Sequence, residues 1–161
     1  MRRIAPTLAA LALTLASPAF ADDGPDDFYL GIGMFNDMLN VNMEFVSEDW
    51  GNIVLRIGQF RDFGSGVSGN VSWRKPLTSD NPKEDGYFIG AFAGQVVGDT
   101  LGGKEFQRLG AGAEMGYHWV NDYTRKVFSV GLGAAEPIEE AGKKKQAQPT
   151  IFFEFSIGLG Y

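Results

Sequence analysis

The sequence predicts an all-β protein, an up-and-down barrel of eight antiparallel strands. Three observations lead to this fold class. From residue 28 onward, segments of about eight to twelve residues alternate between apolar and small or polar side chains, and turn-forming clusters separate them. Helical periodicity is nearly absent. The number of segments is even, so the last strand can pair antiparallel with the first and close the sheet.

The first four strands have clear faces. They are FYLGIGMF, LNVNMEFV, NIVLRIGQF and VSGNVSWR, at residues 28–35, 39–46, 52–60 and 67–74. In the first, Phe28, Leu30 and Ile32 share one face, and small residues alternate with them. The short connection FND predicts a tight hairpin between the first two strands.

The last four strands are YFIGAFAGQV, QRLGAGAEMGYHWV, VFSVGLGA and TIFFEFSIGLGY, at residues 87–96, 107–120, 127–134 and 150–161. The fifth strand has no readable phase, because two sets of residues compete for its apolar face: Phe88, Phe92 and Val96 against Tyr87, Ile89 and Ala91. Residues 61–66, 97–106 and 136–149 are expected to be surface loops.

The N-terminal residues predict export. Arg2 and Arg3 precede the short apolar run LAALALTLA, and Ala19-Phe20-Ala21 has the form of a cleavage site. Residues 1–21 are therefore expected to be a cleaved signal peptide and residues 22–161 the barrel domain. No other segment approaches the ~18 apolar residues of a membrane helix. If the chain spans a membrane, it must do so as a transmembrane β-barrel.

Composition excludes two function classes. The chain has 14 Lys and Arg against 20 Asp and Glu, a net charge of −6. Loss of residues 1–21 removes two Arg and no acid, which leaves 12 bases against 20 acids and a net charge of −8. An acidic chain lacks the electrostatic footprint for nucleic acid. Because the chain has no cysteine, disulfides and thiol chemistry are excluded.

The faces of the strands predict a polar lumen and a lipid-facing apolar surface. The polar row is expected to form a network of Glu44, Arg56, Arg74, Arg108, Glu114, His118 and Glu154. Its three acids and three bases suit a plugged interior better than an open channel, since eight strands enclose only enough space for side chains. An aromatic girdle is expected at one rim, from Trp50, Trp73, Trp119 and Tyr161.

These features resemble a known family. The signal peptide, the eight segments and the final strand FFEFSIGLGY, with its aromatic last residue, resemble the small eight-stranded outer-membrane β-barrels of the OmpA-transmembrane and OmpX type. The resemblance implies a place in the outer membrane of a Gram-negative bacterium, in contact with lipids and lipopolysaccharide. It also implies that the barrel assembly machinery recognises the C-terminal strand. Members serve roles from envelope anchoring to adhesion, and several carry longer loops than FND.

No catalytic, cofactor or metal site is predicted. Some outer-membrane barrels modify lipid A with a His and a Ser on their lipid-facing surface, but His118 lies in the lumen row and has no Ser within two residues. The stretch GSGVSG has Val67 where a nucleophilic Ser would stand. GDTLGGKE lacks the spacing of a phosphate-binding loop and is expected to be a flexible surface loop.

Three hypotheses about function stay open. The leading hypothesis is a non-enzymatic outer-membrane barrel that serves envelope integrity or surface interaction through its loops; a lipid-A-modifying enzyme is a distant third. The alternative is a soluble periplasmic, lipocalin-like or avidin-like barrel that binds an apolar ligand, whose alternation would be inverted. The run 143–145 of three lysines offers charge for lipopolysaccharide phosphates, but Glu136, Glu139 and Glu140 favour a solvated loop.

Overall fold

A computed structural model describes residues 27–61, 66–79, 81, 83–121, 123–147 and 149–160. The predicted signal peptide and Tyr161 lie outside the described residues. Within them there is no helix long and apolar enough to cross a membrane. The described residues form ten strands: β1 Asp27–Phe35, β2 Met38–Val46, β3 Asn52–Phe60, β4 Ser68–Pro76, β5 Gly86–Leu101, β6 Lys104–Asn121, β7 Thr124–Ala135, β8 Ile138–Glu140, β9 Lys143–Lys145 and β10 Pro149–Gly160.

Eight of these strands close into a barrel, which confirms the predicted all-β, antiparallel, eight-stranded architecture. The order around the barrel is β1-β10-β7-β6-β5-β4-β3-β2. β1 and β10 close it, in a register that runs from Tyr29 opposite Gly160 to Phe35 opposite Glu154. We call the end that holds Asp27 and Gly160 the proximal rim, and the end with the β1–β2 and β5–β6 turns the distal rim.

The fifth strand, whose phase the sequence left open, turns its aromatic residues inward. Phe88, Phe92 and Val96 are buried, whereas Tyr87 and Ile89 are exposed. The register of β5 against β6 shifts between Gln95 and Val97. This β-bulge lets the neighbours Val96 and Val97 both pack into the core. The phase of the strand could not be read from polarity because both of its rows carry apolar residues.

The expectation of a flexible loop at 97–106 was wrong. β5 continues to Leu101 and β6 starts at Lys104, and the two pair along this extension. Gly102 and Gly103 form the turn with φ of 62° and 84°. Two successive residues in the left-handed region are what a tight two-residue hairpin turn requires. GDTLGGKE is thus a paired β-hairpin that projects beyond the distal rim.

The predicted loop at 136–149 also contains regular structure. β8 and β9 pair with Glu139 opposite Lys144 and Glu140 opposite Lys143. Ala141 and Gly142 make the turn, with φ of 51° and 74°. Opposite charges across the two strands stabilise this short sheet, which lacks apolar alternation. We call residues 138–145 the strap.

An apolar cluster fills the distal part of the barrel. Its members are Phe35, Met38, Phe60, Phe92, Val96, Ala135 and Phe152. The rings of Phe92 and Phe152 meet edge to face at 5.0 Å between centroids. Phe92 lies over Gly112 so closely that a Cβ there would collide with its Cζ atom. Glycine on the inner face thus makes room for the aromatic plug.

Substitution of Gly112 and its outward neighbour Ala113 should have different effects on stability. Gly112→Val should lower the free energy of unfolding by ~1–3 kcal/mol, or prevent folding, because its side chain collides with Phe92. Ala113→Val should change it by less than ~0.5 kcal/mol, since that side chain is exposed. Urea unfolding of the refolded proteins measures both values. Equal effects at the two positions would contradict the inward placement of Gly112.

Candidate functional site

Four charged side chains meet in the middle of the barrel. Arg56 donates to Glu154 from Nε at 3.2 Å and from Nη2 at 2.6 Å. Arg74 donates from Nε to Glu114 at 3.1 Å and from Nη2 to Glu154. The four side chains are at most 2% exposed. We call Arg56, Arg74, Glu114 and Glu154 the central ion cluster; its two bases and two acids balance.

Polar neighbours pair with further donors and acceptors of this cluster. The Nη1 atom of Arg56 donates to Asn70 at 3.0 Å and to Ser72 at 2.8 Å. The hydroxyl of Ser129 donates to Glu114 at 2.6 Å. Buried charges need such pairing, because each unpaired ion would cost several kcal/mol in a dry interior. The cluster and its neighbours fill the middle of the barrel with side chains.

A second ion pair lies nearer the proximal rim. The Nε atom of Arg125 is 3.0 Å from Glu44, which also accepts a hydrogen bond from Asn52 at 3.0 Å. The Arg125 guanidinium lies 5.7 Å from the ring centroid of Tyr29. Sequence reasoning placed Glu44 in the lumen and missed Arg125, because it began the seventh strand at Val127. Val127 and Ser129 lie on the inner row, and extending that row by two residues toward the N-terminus places Arg125 in the lumen.

Arg108 was grouped with the lumen network but lies at the distal rim, apart from the central ion cluster. Its guanidinium bonds Asp99 at 3.0 Å, and it donates to the carbonyls of Glu136 at 2.7 Å and Gln146 at 3.1 Å. Lys145 also donates to Asp99, at 2.6 Å. These contacts tie the strap to the projecting β5–β6 hairpin. Arg108 is thus a clamp between two elements.

The lysine run of the strap is balanced by acids. Lys145 reaches Asp99, and Lys143 and Lys144 stand opposite Glu140 and Glu139 in the register of β9 with β8. Glu140 in addition pairs with Lys104 of the hairpin at 2.6 Å. This part of the molecule offers little uncompensated positive charge for phosphate groups.

His118 faces the interior near the proximal rim and is 2% exposed. Its Nε2 atom lies 2.9 Å from the carbonyl oxygen of Glu84. Because a carbonyl only accepts, Nε2 carries the hydrogen. The imidazole stacks on Phe88 with 5.9 Å between ring centroids. Among the described residues no cluster of His, Cys, Asp and Glu is arranged to hold a metal ion.

The outer surface carries a belt without charges. Outward-facing apolar residues with more than 40% exposure occur on every barrel strand, and examples are Ile32, Leu39, Ile57, Val71, Ile89, Leu109, Leu132 and Phe153. Between the projecting β5–β6 hairpin and the proximal rim, the charged residues among the described outward-facing ones of the barrel wall are Lys75 and Lys126. Both stand near the proximal rim, where β4 ends and β7 begins.

Aromatic residues collect at the same rim. Trp50, Trp73 and Trp119 are each 41–46% exposed, and the indole N–H of Trp73 donates to the carbonyl of Trp50 at 2.8 Å. Tyr87 and Tyr117, which were not predicted for this girdle, extend it: their rings meet at 4.8 Å. Tyr161 was also expected here but lies outside the described residues.

The chain matches no protein-family model, no curated protein and no solved structure. The closed barrel itself is consistent with small outer-membrane barrels. The function must therefore be argued from the barrel's own faces.

Removing one partner of the Arg125–Glu44 pair should destabilise the protein much more than removing the charge of both partners. Arg125→Met leaves a buried carboxylate and should lower the free energy of unfolding by ~3–5 kcal/mol. In the double variant Arg125→Met/Glu44→Gln the charge is gone and Asn52 keeps an acceptor, so most of the loss should be recovered. Urea unfolding of both variants tests this. A double variant as unstable as the single one would show that the pair is not the source of the effect.

The ion pairs of Asp99 predict that the stability of the strap depends on pH. Burial raises the pKa of Asp99, but the hydrogen bonds from Lys145 and Arg108 outweigh it and hold the pKa below its ordinary value. A lowered carboxyl pKa stabilises the folded form above the ordinary value of about 3.9, and this stabilisation fades as the pH falls further. Hydrogen-exchange protection of residues 138–145 should therefore be lower at pH 3 than at pH 6.

Asp99→Asn should lower this protection about fivefold at pH 6 and weaken its pH dependence, since a partly exposed ion pair contributes ~1 kcal/mol. Thr100→Val is the matched control, because Thr100 is exposed and its side chain has no part in the clamp. If both variants behave like wild type, Asp99 does not hold the strap.

Proposed function

We propose that the chain is an integral outer-membrane β-barrel with a plugged polar interior, non-enzymatic, which serves envelope integrity or surface interaction. The observation that carries the proposal is the polarity of the wall. Paired charges such as Arg56 and Glu154 are buried inside the barrel, and side chains such as Leu132, 65% exposed, lie outside. A barrel that folds in water has the opposite arrangement.

The dimensions of the belt fit a membrane. The outward row of β10 runs from Ile151 to Leu159 without a charge. Eight residue steps of about 3.3 Å span roughly 26 Å along the strand, and a tilt of about 40° leaves roughly 20 Å of height. The apolar band of outer-membrane barrels is about 25 Å tall. In water such a continuous belt would far exceed the apolar patch of about 300–600 Å² that a soluble monomer exposes.

The filled interior supports a plug. Arg56, Arg74 and Arg125 are among the largest fully buried side chains, together with the distal phenylalanines. A porin-like path needs about sixteen strands. A lipocalin-like barrel needs an apolar cavity for its ligand, and here the corresponding space holds ion pairs. The soluble, ligand-binding alternative is therefore the weaker proposal.

We do not propose an enzymatic activity on lipid A, because His118 is enclosed inside the barrel. Its ring is enclosed by Phe88 and the Glu84 carbonyl inside the barrel, out of reach of an acyl chain on the outer surface. The interaction surfaces that remain are the projecting β5–β6 hairpin and the strap at the distal rim. We place these on the cell surface, next to lipopolysaccharide, and assign recognition by the barrel assembly machinery to β10.

Brominated lipids test the membrane assignment. The chain has no cysteine, so Leu132→Cys can carry a single environment-sensitive fluorophore on the belt. In vesicles with brominated acyl chains this label should be quenched, because the side chain lies in hydrocarbon. Lys144→Cys on the strap is the control and should keep its fluorescence. If the label at 132 is as bright as the label at 144, the chain does not insert, and the soluble alternative gains.

A further inference from the structure

The connection between β4 and β5 covers the proximal mouth of the barrel. Its described residues are 77–79, 81 and 83–85, and we call them the cap. The Nζ atom of Lys83 lies 3.5 Å from the carboxylate of Asp27, at the start of β1. Around the closed barrel, β10, β7 and β6 separate β1 from β5 on one side, and β2, β3 and β4 separate them on the other. A contact between the cap and β1 therefore crosses the mouth.

Two hydrogen bonds attach the cap to β6 on the opposite side of the mouth. The carbonyl oxygen of Glu84 accepts from Nε2 of His118 at 2.9 Å, and His118 is one of the buried residues of the barrel interior. The carboxylate of Asp85 accepts from the backbone N–H of Val120 at 2.7 Å. The cap is thus bonded to β1 and to β6, and it lies over the interior between them.

Further hydrogen bonds give the cap a shape of its own. The side-chain oxygen of Asn81 accepts from the backbone N–H of Lys83 at 2.9 Å, and the N–H of Asn81 donates to the hydroxyl of Ser79 at 3.0 Å. At the base of the cap, the backbone N–H of Leu77 donates to the carbonyl of Tyr87 at 2.8 Å. Bonds of this kind hold a turn together without an apolar core. They stay intact when the contacts with β1 and β6 break.

The cap is weakly attached, although it covers a deeply buried group. None of its described residues is buried, whereas His118 is 2% exposed. The side chains of Lys83 and Asp27 are 42% and 29% exposed, and an ion pair with this exposure contributes little to stability and is weakened by salt. A segment with few buried apolar contacts opens at a much lower free energy than the whole domain unfolds. The cap can therefore open while the barrel stays folded.

We propose that the cap is a gate, which admits water and small molecules to the proximal part of the barrel interior and which the Lys83–Asp27 ion pair holds closed. Opening breaks this ion pair and the hydrogen bonds to β6, and it uncovers His118. The central ion cluster and the distal apolar cluster fill the rest of the interior, so an open cap leads to a closed chamber and not to a channel. The inference goes beyond the proposed function, since it holds for either medium around the belt.

Chemical labelling of the single histidine measures how often the cap opens. His118 is the only histidine of the chain, so its reaction with diethylpyrocarbonate, followed by mass spectrometry of its peptide, reports access to the interior. The intact wild-type protein in detergent at low salt should react slowly. Lys83→Gln and Asp27→Asn should each react about threefold faster, a change of the size that an exposed ion pair provides. The double variant should react no faster than either single variant.

Salt and a matched lysine variant separate the ion pair from general effects of charge. At about 1 M salt, where the screening length is about 3 Å, wild type should react as fast as Lys83→Gln, and Lys83→Gln should keep its low-salt rate. Lys126→Gln is the control, because Lys126 is also exposed at the proximal rim but lies on β7, outside the cap. It should react like wild type. A control as fast as Lys83→Gln, or a Lys83→Gln variant as slow as wild type, would overturn the role of the ion pair.

A cross-link tests whether the cap itself is the gate. The chain has no cysteine, so a short bis-maleimide can join the two cysteines of Lys83→Cys/Asp27→Cys across the mouth. Before cross-linking, this variant should react faster than wild type. Afterwards it should react at least about tenfold more slowly, because local opening is blocked and only unfolding of the whole barrel exposes His118. If cross-linking leaves the rate unchanged, the reagent reaches His118 by another route, and the gate is overturned.

Discussion

The structure depends on one shared carboxylate. Glu154 of β10 accepts hydrogen bonds from Arg56 of β3 and Arg74 of β4, residues 98 and 80 positions away along the chain. The three meet only if β10 is paired with β1 in the observed register, because a slip of one residue would turn every β10 side chain to the other face. Glu154 would then point into the apolar belt and Phe153 or Phe155 into the interior. Barrel closure and charge pairing therefore select the same register.

The narrow interior restricts which side chains can pack on the distal and the proximal side of the central ion cluster. Eight strands enclose only enough space for side chains, so each inward residue must fit its neighbours. The distal layer is aromatic and relies on inner-face glycines such as Gly112 for room. The proximal layer places His118 against Phe88 and the Glu84 carbonyl, so the β4–β5 connection is held to the wall. Buried ion pairs are weak evidence for stability; here their clearest consequence is a unique register.

The alternation of apolar and polar residues predicts which face of the sheet a side chain lies on, and this sets how much of the fold the sequence could predict. Period-two patterns located the barrel strands and, by parity, put Glu44, Arg56, Arg74, Glu114 and Glu154 on the inner row, which is where the structure has them. Parity does not say which acid meets which base, since that depends on register and strand tilt. It also fails where the pattern is broken. The inner row of β5 is itself apolar, with Phe88, Phe92 and Val96 turned inward, so alternation could not separate its two faces. The strap has charges where alternation would need apolar residues. Arg125 was missed only because the start of the seventh strand was placed three residues late, at Val127 instead of Thr124.

The two rims differ in chemistry, and this difference supports one orientation of the proposed membrane barrel. At the proximal rim, exposed indoles stand next to Lys75 and Lys126, and aromatic rings with outward lysines suit a layer of lipid phosphates. At the distal rim, the lysines of the strap and of the β5–β6 hairpin face acids of the same two elements. Internal pairing makes that end a nearly neutral projection that extends past the belt. In the proposed membrane barrel, a projection of this kind suits contact with partners in solution, whereas the indoles and outward lysines of the proximal rim suit contact with lipid headgroups.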